Sequence, residues 1–334
     1  MRHLISINDL TNNEIFQILD LAGEIEERFE DFIKIMKRKT LINLFFQPST
    51  RTRGSFEASM YALGGDVINI LEPEKTTSIA KGESFEDMIK MLDDYGNIIV
   101  LRHHQENMPL VASKISDVPI INAGDGWNEH PTQTLIDLFT IIKEFELPTN
   151  LNIVMCGDLL HSRTVHSLIH ACLRLKNNVI LVPAPKLDLS ESFIKEINIR
   201  YEIPYIECYY TGLECFYGFD KGSYFAEFKG KTPKINAFRI HRELENPYVF
   251  YMTRLQVPDQ LHNGSSIFSP YPSIDTNTIG NPVLSNKKYI IMHPLPRNQE
   301  ISTELDNYPQ SRYFEQAKNG IVVRMALLMW MLKN

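Results

Sequence analysis

Cysteine is scarce in this chain. Its 334 residues hold four, Cys156, Cys172, Cys208 and Cys215. None forms a C-x-x-C pair, so neither zinc nor thioredoxin-like chemistry has support in the spacing. Reduced, mostly buried thiols of a cytosolic protein are expected. Long apolar runs are missing too, and no stretch approaches the roughly 18 residues of a membrane span. The opening "MRHLISINDLTNNE" has no apolar core followed by a small-residue cleavage site, so no signal peptide is expected. No H-E-x-x-H spacing is present, so no metal site is expected. "VMCGDLLHS" contains no G-x-G-x-x-G, which sets a dinucleotide enzyme aside. Positive charge is in deficit: 34 Lys and Arg stand against 41 Asp and Glu, a net charge of −7 and a pI near 5.8. That excludes a protein that coats nucleic acid through bulk charge. A local basic cluster in such a chain points instead to a pocket for a small anion.

Apolar residues make up 43% of the chain, enough for full cores. The length predicts about two domains. Thr11 and Glu14 form a capping box for a helix through about Glu30. Strands are predicted at 40–46, 64–70, 97–101, 119–126, 151–158, 178–182, 248–252 and 288–292. Helices are predicted from Ser49 or Thr50, from Ser84, and over 131–145, 163–175, 190–197 and 320–332. Strands alternating with helices imply an α/β fold of two domains, each a parallel β-sheet flanked by helices. The break "FELPTN" at 145–150 marks the expected boundary. Residues 211–245 read as an extended excursion.

The polar clusters fall at predicted strand ends, where open α/β sheets bind ligands. The densest is "FFQPSTRTRGSFEAS" at 45–59. A helix N-terminus offers unpaired N–H groups and partial positive charge, a ready anion site. Ser49, Thr50 and Thr52 add hydroxyl donors, and Arg51 adds a fork suited to phosphate. The plainer reading is a capped helix with solvated arginines, but capping does not require two arginines two positions apart. Arg102 closes another strand. His130 and Gln133 share a face at a helix start. The dipole there biases His130 toward a neutral imidazole that can donate to a carbonyl oxygen. The bland alternative is a satisfied structural histidine. Arg163 and Arg254 suit a substrate with two carboxylates. Solvated arginines or ion pairs are the alternative for each.

The segments "PSTRTRGSFEAS", "SIAKGES", "VLRHH", "INAGDGWNEHPTQTLIDLFTI", "GDLLHSRTVHSL", "YMTRLQ", "MHPLPRNQEI" and "FEQAKNGIVVRMALL" occur in one order along the chain. This ordered set closely resembles the catalytic chains of the aspartate carbamoyltransferase family, over nearly the whole length. The resemblance implies carbamoyl transfer from carbamoyl phosphate to L-aspartate, an early step of pyrimidine synthesis, with no cofactor. It implies a carbamoyl phosphate-binding domain over 1–147, with the helix at 313–334 packed back on it. An aspartate-binding domain would cover 148–312, with an insertion at about 214–243. Ser49, Thr50, Arg51, Thr52 and Arg102 would hold the phosphate. Thr52, Arg102, His130 and Gln133 would address the carbamoyl group. Ser78 and Lys81 match the mobile loop that reaches a neighbouring subunit's site, which implies a homotrimer with shared sites. Arg163, Arg254 and Gln256, with Lys81 and Leu295, match the aspartate side. Pro294 and Leu295 lie where backbone carbonyls meet substrate nitrogens. A cytoplasmic enzyme acting on small molecules, with no nucleic-acid or membrane partner, is expected.

Two departures stand out. Ser162 replaces the usual glycine, and 257–275 differs in detail where the family has an aspartate-side loop. Ornithine carbamoyltransferase is the nearest rival. It shares the phosphate site but carries a Cys within H-C-L-P, where this chain has Pro294. A non-catalytic relative is the other alternative, and loss of Arg51, Lys81, Arg102 or His130 would have favoured it. All four are present.

Overall fold

The computed structural model describes residues 2–202, 205–210, 213–220, 223–229, 247–256, 271–276 and 288–333. For 205–229 it describes strand backbones only. Two compact units are present, Met1–Lys143 with His166–Leu168 and Ala317–Asn334, and Glu144–Val165 with Ile169–Gln316.

The first unit opens with α1 (Asn12–Glu27). Thr11 caps it: the Thr11 Oγ1 accepts the Glu14 N–H while the Glu14 carboxylate accepts the Thr11 N–H. The sequence predicted this helix through Glu30. It stops at Glu27, and Phe29–Phe32 tightens into a single 3-10 turn. Then follow β1 (Thr40–Phe45), α2 (Thr50–Ala62), β2 (Asp66–Leu71), α3 (Pro73–Thr76) and α4 (Phe85–Asp93). The unit continues with β3 (Ile98–His103), α5 (Met108–Ser113), β4 (Ile120–Asp125) and α6 (Pro131–Phe145). The strands pair parallel in the order β2-β1-β3-β4. Both faces of β1 are buried after Thr40, as expected of a central parallel strand. Ile42, Leu44, Ile99 and Leu101 pack with Met88, Ile89 and Leu92 of α4 to build one side of the core. Beside β4, Leu4 bridges to Ile121 in parallel, with Leu4 N–H on the Ile120 carbonyl and Asn122 N–H on the Leu4 carbonyl, both at 2.8 Å.

The second unit contains β5 (Asn152–Gly157), α7 (Arg163–Arg174), β6 (Asn178–Pro183), α8 (Glu191–Tyr201) and β7 (Tyr205–Tyr210). After these come β8 (Leu213–Asp220), β9 (Ser223–Lys229), β10 (Tyr248–Met252), β11 (Tyr289–Met292) and the start of α9 (Tyr313–Lys333). Helices α7 and α9 contribute residues to both units. Among the described residues the sheet runs β11-β10-β5-β6-β7-β8-β9. It is parallel from β11 to β7, as the α/β rhythm predicted, but β8 and β9 add to one edge antiparallel. This sheet is therefore mixed, not purely parallel. Short hairpin turns replace crossover helices there, and only a crossover can deliver a parallel strand. The excursion at 214–243 thus holds most of β8 and all of β9. Its residues 230–243, and 257–270 of the divergent loop, lie outside the described residues.

Buried Val154, Cys156, Tyr248, Phe250 and Ile291 fill this sheet's core with Leu305 and Tyr313. Cys156 and Cys172 are buried free thiols, and burial pushes the Cys156 thiol far up. The Cys208 and Cys215 side chains lie outside the described residues. No helix among the described residues is long and apolar enough to cross a membrane.

Candidate active site

Parallel pairing puts all carboxyl ends of a sheet on one edge. In the first unit, sheet order makes the ends of β1, β3 and β4 neighbours. Phe45 stands in register with Arg102, and the Phe46 N–H donates to the Arg102 carbonyl at 2.9 Å. Four residues past β1, Ser49 caps α2, its Oγ accepting the Thr52 N–H at 3.3 Å. Thr50, Arg51 and Thr52 therefore occupy the first helical turn, where N–H groups lack intrahelical acceptors. Arg51 is exposed and Thr52 buried. Arg102 is half-buried, and its Nη1 donates to the Ala123 carbonyl of β4 at 3.4 Å. The predicted phosphate residues 49–52 and Arg102, fifty positions apart, are thus brought to adjoining strand ends.

After β4 the chain turns at Gly124 and Gly126, both at positive φ, and reaches His130 at the head of α6. The turn is organised by Asp125, which sequence reasoning did not single out. This fully buried carboxylate accepts from Asn107 N–H, Asn122 Nδ2, Asn128 Nδ2 and Glu129 N–H, at 2.8 to 3.2 Å. A carboxylate saturated by such donors can stay buried and fix a loop. His130 is buried, its N–H donating to Ser167 Oγ at 2.8 Å and its Nδ1 lying 3.3 Å from Thr132 Oγ1. The Gln133 Nε2 donates to Asp137 Oδ1 at 2.8 Å, one turn along α6. Buried Asp137 acts electrostatically on Arg324, whose guanidinium lies 4.9 Å over the Phe56 ring. Burial pushes Arg324 down to about 9 against that opposing pull. Gln133 and Asp137 stand four apart, a signal available in the sequence.

Ser78 and Lys81 follow β2 and α3. They form a single exposed 3-10 turn, closed by Gly82 at φ 98°. The structure leaves both on this surface loop rather than in the buried cluster around His130.

In the second unit the ends of β5, β10 and β11 are neighbours. Arg163 is the first residue of α7, beyond the loop that follows β5. Ser162 stands at the cap position without a side-chain bond to the helix backbone, its Oγ 3.2 Å from Thr164 Oγ1. Arg254 and Gln256 follow β10. The Arg254 Nη1 donates to the Leu255 carbonyl at 3.2 Å, and the Gln256 N–H donates to Asp158 Oδ2 at 3.0 Å. Asp158 is fully buried and also accepts the His161 N–H at 3.1 Å. The Tyr271 hydroxyl accepts the Asp158 N–H at 2.8 Å and donates to the Thr253 carbonyl at 2.7 Å. These bonds tie the loop after β5 to the loop after β10, so Arg163 and Arg254 sit on one braced edge.

Pro294 and Leu295 follow β11. His293 sets their path. Its Nδ1 accepts the Leu295 N–H at 2.7 Å, so that nitrogen carries no proton, and its Nε2 donates to Glu300 Oε1 at 2.9 Å. Burial lowers the His293 pKa, consistent with a neutral ring. Burial alone would raise the Glu300 carboxyl, but bonds from His293 and the Asn298 N–H hold it below the usual range. Leu295 is held at φ 56°, a left-handed conformation uncommon for a side-chain-bearing residue. A histidine two residues ahead of such a position is a signal that "HPLPR" carried but did not decode.

Comparison with known proteins agrees with this two-part layout. Residues 2–143 match the aspartate/ornithine carbamoyltransferase carbamoyl-P binding domain, and residues 222–331 match the family's Asp/Orn binding domain. The chain is 39% identical over 337 residues to the aspartate carbamoyltransferase catalytic subunit of Alkaliphilus oremlandii, covering all of this chain and 91% of that protein. It is 38% identical to that of Methanocaldococcus jannaschii, covering 98% and 97%. The crystal structure of the M. jannaschii catalytic subunit superposes with a TM-score of 0.77 at 37% identity, over 100% of this chain and 98% of that one. The Trypanosoma cruzi aspartate transcarbamoylase in complex with carbamoyl phosphate and aspartate superposes with a TM-score of 0.78 at 29% identity, over 99% and 95%. With its full length matched at this identity, the chain belongs to the aspartate carbamoyltransferase catalytic-subunit family.

Proposed function

We propose that this protein transfers the carbamoyl group of carbamoyl phosphate to the amine of L-aspartate, giving N-carbamoyl-L-aspartate and phosphate. The observation that carries the reading is the convergence of the α2 N-terminus, Arg102 and the His130 turn on adjoining ends of β1, β3 and β4. Full-length likeness to aspartate carbamoyltransferases supports it.

The neutral aspartate amine attacks the carbamoyl carbon. A C–N bond forms, the C–O bond to phosphate breaks, and the ammonium proton leaves with the phosphate. Negative charge grows on the carbonyl oxygen during attack. Thr52, Arg102 and His130 are its donors, and losing one such donor costs roughly 2.7–4 kcal/mol of transition-state stabilisation. Ser49, Thr50 and Arg51 hold the phosphate at the helix N-terminus. Gln133 and the Pro294 and Leu295 carbonyls orient the carbamoyl nitrogen. Arg163, Arg254 and Gln256 take the aspartate carboxylates. No protein nucleophile enters, because positioning two anions for attack supplies much of the rate.

Lys81 completes a neighbouring copy's site from its exposed loop, in a cytoplasmic homotrimer that serves pyrimidine synthesis. Light scattering on the purified protein should give three times the chain mass, and a monomer mass in an active preparation would remove Lys81 from the site. The ornithine reading has less behind it, since ornithine brings one carboxylate and a cationic side chain to a pocket holding Arg254. A ureido-product assay with carbamoyl phosphate plus either L-aspartate or L-ornithine decides between them. Carbamoyl-aspartate alone is expected, and citrulline would overturn the assignment. Arg51→Ala should abolish turnover in a chain with an unchanged circular dichroism spectrum.

A further inference from the structure

Glu129 lies directly before His130 and does not figure in the carbamoyl-transfer scheme above. It is a buried carboxyl, only 9% exposed. Its Oε1 accepts from Ser6 Oγ at 2.5 Å, and its Oε2 accepts from the Ile7 N–H at 3.1 Å and from Ser167 Oγ at 2.9 Å. Ser167 is fully buried and in turn accepts the His130 N–H at 2.8 Å. One carboxyl therefore joins three separate pieces of the first unit: the segment before α1, the middle of α7 and the turn that carries His130. That first segment is itself fixed to β4 by the Leu4 bonds and by Asn122 Nδ2, which donates to the Ile5 carbonyl at 2.9 Å.

We infer that Glu129 is the positioning residue for His130, acting through the Ser167 hydroxyl, and that Ser6 and Ile7 fix Glu129 in turn. Ser167 has a single proton to donate. With Glu129 accepting that proton, a Ser167 lone pair is directed at the His130 N–H. Remove the carboxyl, and the hydroxyl is free to rotate and the His130 backbone loses a defined partner. Burial raises the Glu129 pKa while the three donors oppose the rise. A neutral amide of the same shape can reproduce the contacts: its oxygen takes the Ile7 and Ser167 donors, and its nitrogen donates to Ser6 Oγ. An alanine cannot. Misplacement of a donor by about 1 Å is enough to cost on the order of 100-fold in rate.

The inference rests on the carbamoyl-transfer reading, so the experiment needs a readout besides turnover. Glu129→Ala, Glu129→Gln and Ser167→Ala are compared with the unaltered protein by steady-state kinetics, thermal melting and the His130 imidazole resonances, assigned with His130→Asn. Glu129→Ala should lower kcat at least tenfold, leave the KM for aspartate within about twofold and shift the His130 resonances. Glu129→Gln should restore kcat to within about threefold. Ser167→Ala should lower kcat and move the same resonances, which keeps the test open should Glu129→Ala fail to fold. A folded Glu129→Ala or Ser167→Ala with unchanged kcat and unmoved resonances overturns the proposal. So does a folded Glu129→Gln as impaired as the alanine, because charge and not position would then be at work. If the unaltered protein makes no carbamoyl-aspartate, the functional reading fails, while the resonances still report whether Glu129 sets His130.

Discussion

Gly157 ends β5 at φ 111°, in a region that L side chains rarely adopt. A Cβ there would lie 2.5 Å from the Tyr271 hydroxyl and 2.7 Å from Thr253 Oγ1, with the Thr253 carbonyl nearer still. Gly157→Ala should destabilise the second unit by about 2–4 kcal/mol through backbone strain and overlap. Because the same Tyr271 hydroxyl braces Asp158, the KM for aspartate should rise as well. A melting curve with an unchanged midpoint would show that the loop gives way freely. His103 provides a pH-dependent case. It is buried against Phe46 at 4.3 Å, and burial together with neighbouring His104 pushes its pKa down to about 4 from 6.5. Above pH 6.5 the ring is neutral in both folded and unfolded chains. As pH falls from 6.5 toward about 4, the unfolded chain takes up a proton that the folded chain refuses, so stability is lost over that window. The loss is on the order of 2 kcal/mol after allowance for solvent screening. Urea titrations at several pH values should show a flatter slope for His103→Gln than for the unaltered protein.

Among the elements, those with local signals were legible. The Thr11–Glu14 capping box, the Ser84 cap accepting the Asp87 N–H, and α6 over Pro131–Phe145 all stand where short-range patterns put them. Thr11→Ala should cost about 1 kcal/mol, read as a lower melting midpoint, with activity retained. The failures have physical causes as well. Helix α9 begins at Tyr313, not at 320, because its first turns are polar for a structural reason: buried Gln316 accepts the His293 N–H at 2.9 Å. A polar residue that satisfies a buried donor breaks the apolar periodicity on which the prediction relied. The β7–β9 strands were not anticipated. Antiparallel strands joined by short turns need no helix between them, so the βαβ rhythm gives no warning of them.

For the whole molecule, two units with separate cores mean that ligand binding reports on one unit at a time. Carbamoyl phosphate alone, at 100 times its Kd, should stabilise the first unit by about 2.7 kcal/mol. For a unit of roughly 150–250 residues that corresponds to a rise of about 5–10 °C in its transition. Hydrogen exchange should slow at 49–53 and around 102 more than at 248–252. Equal protection in both units would show that the phosphate site is not confined to the first.

By itself the sequence determined the α/β class, the order of strands and helices, and the residue types at each strand end. These depend on period, caps and turn chemistry within a few positions. Only the tertiary structure decided which strand ends adjoin. The order β2-β1-β3-β4 sets Ser49–Thr52 beside Arg102 and the His130 turn. Likewise β11-β10-β5 brings the Arg254 and Leu295 loops next to the one carrying Arg163. Glu129, Ser167, Asp125 and His293 escaped notice for the same reason. Their work is to satisfy buried donors and acceptors, many from distant parts of the chain, and which of those meet is fixed by long-range packing.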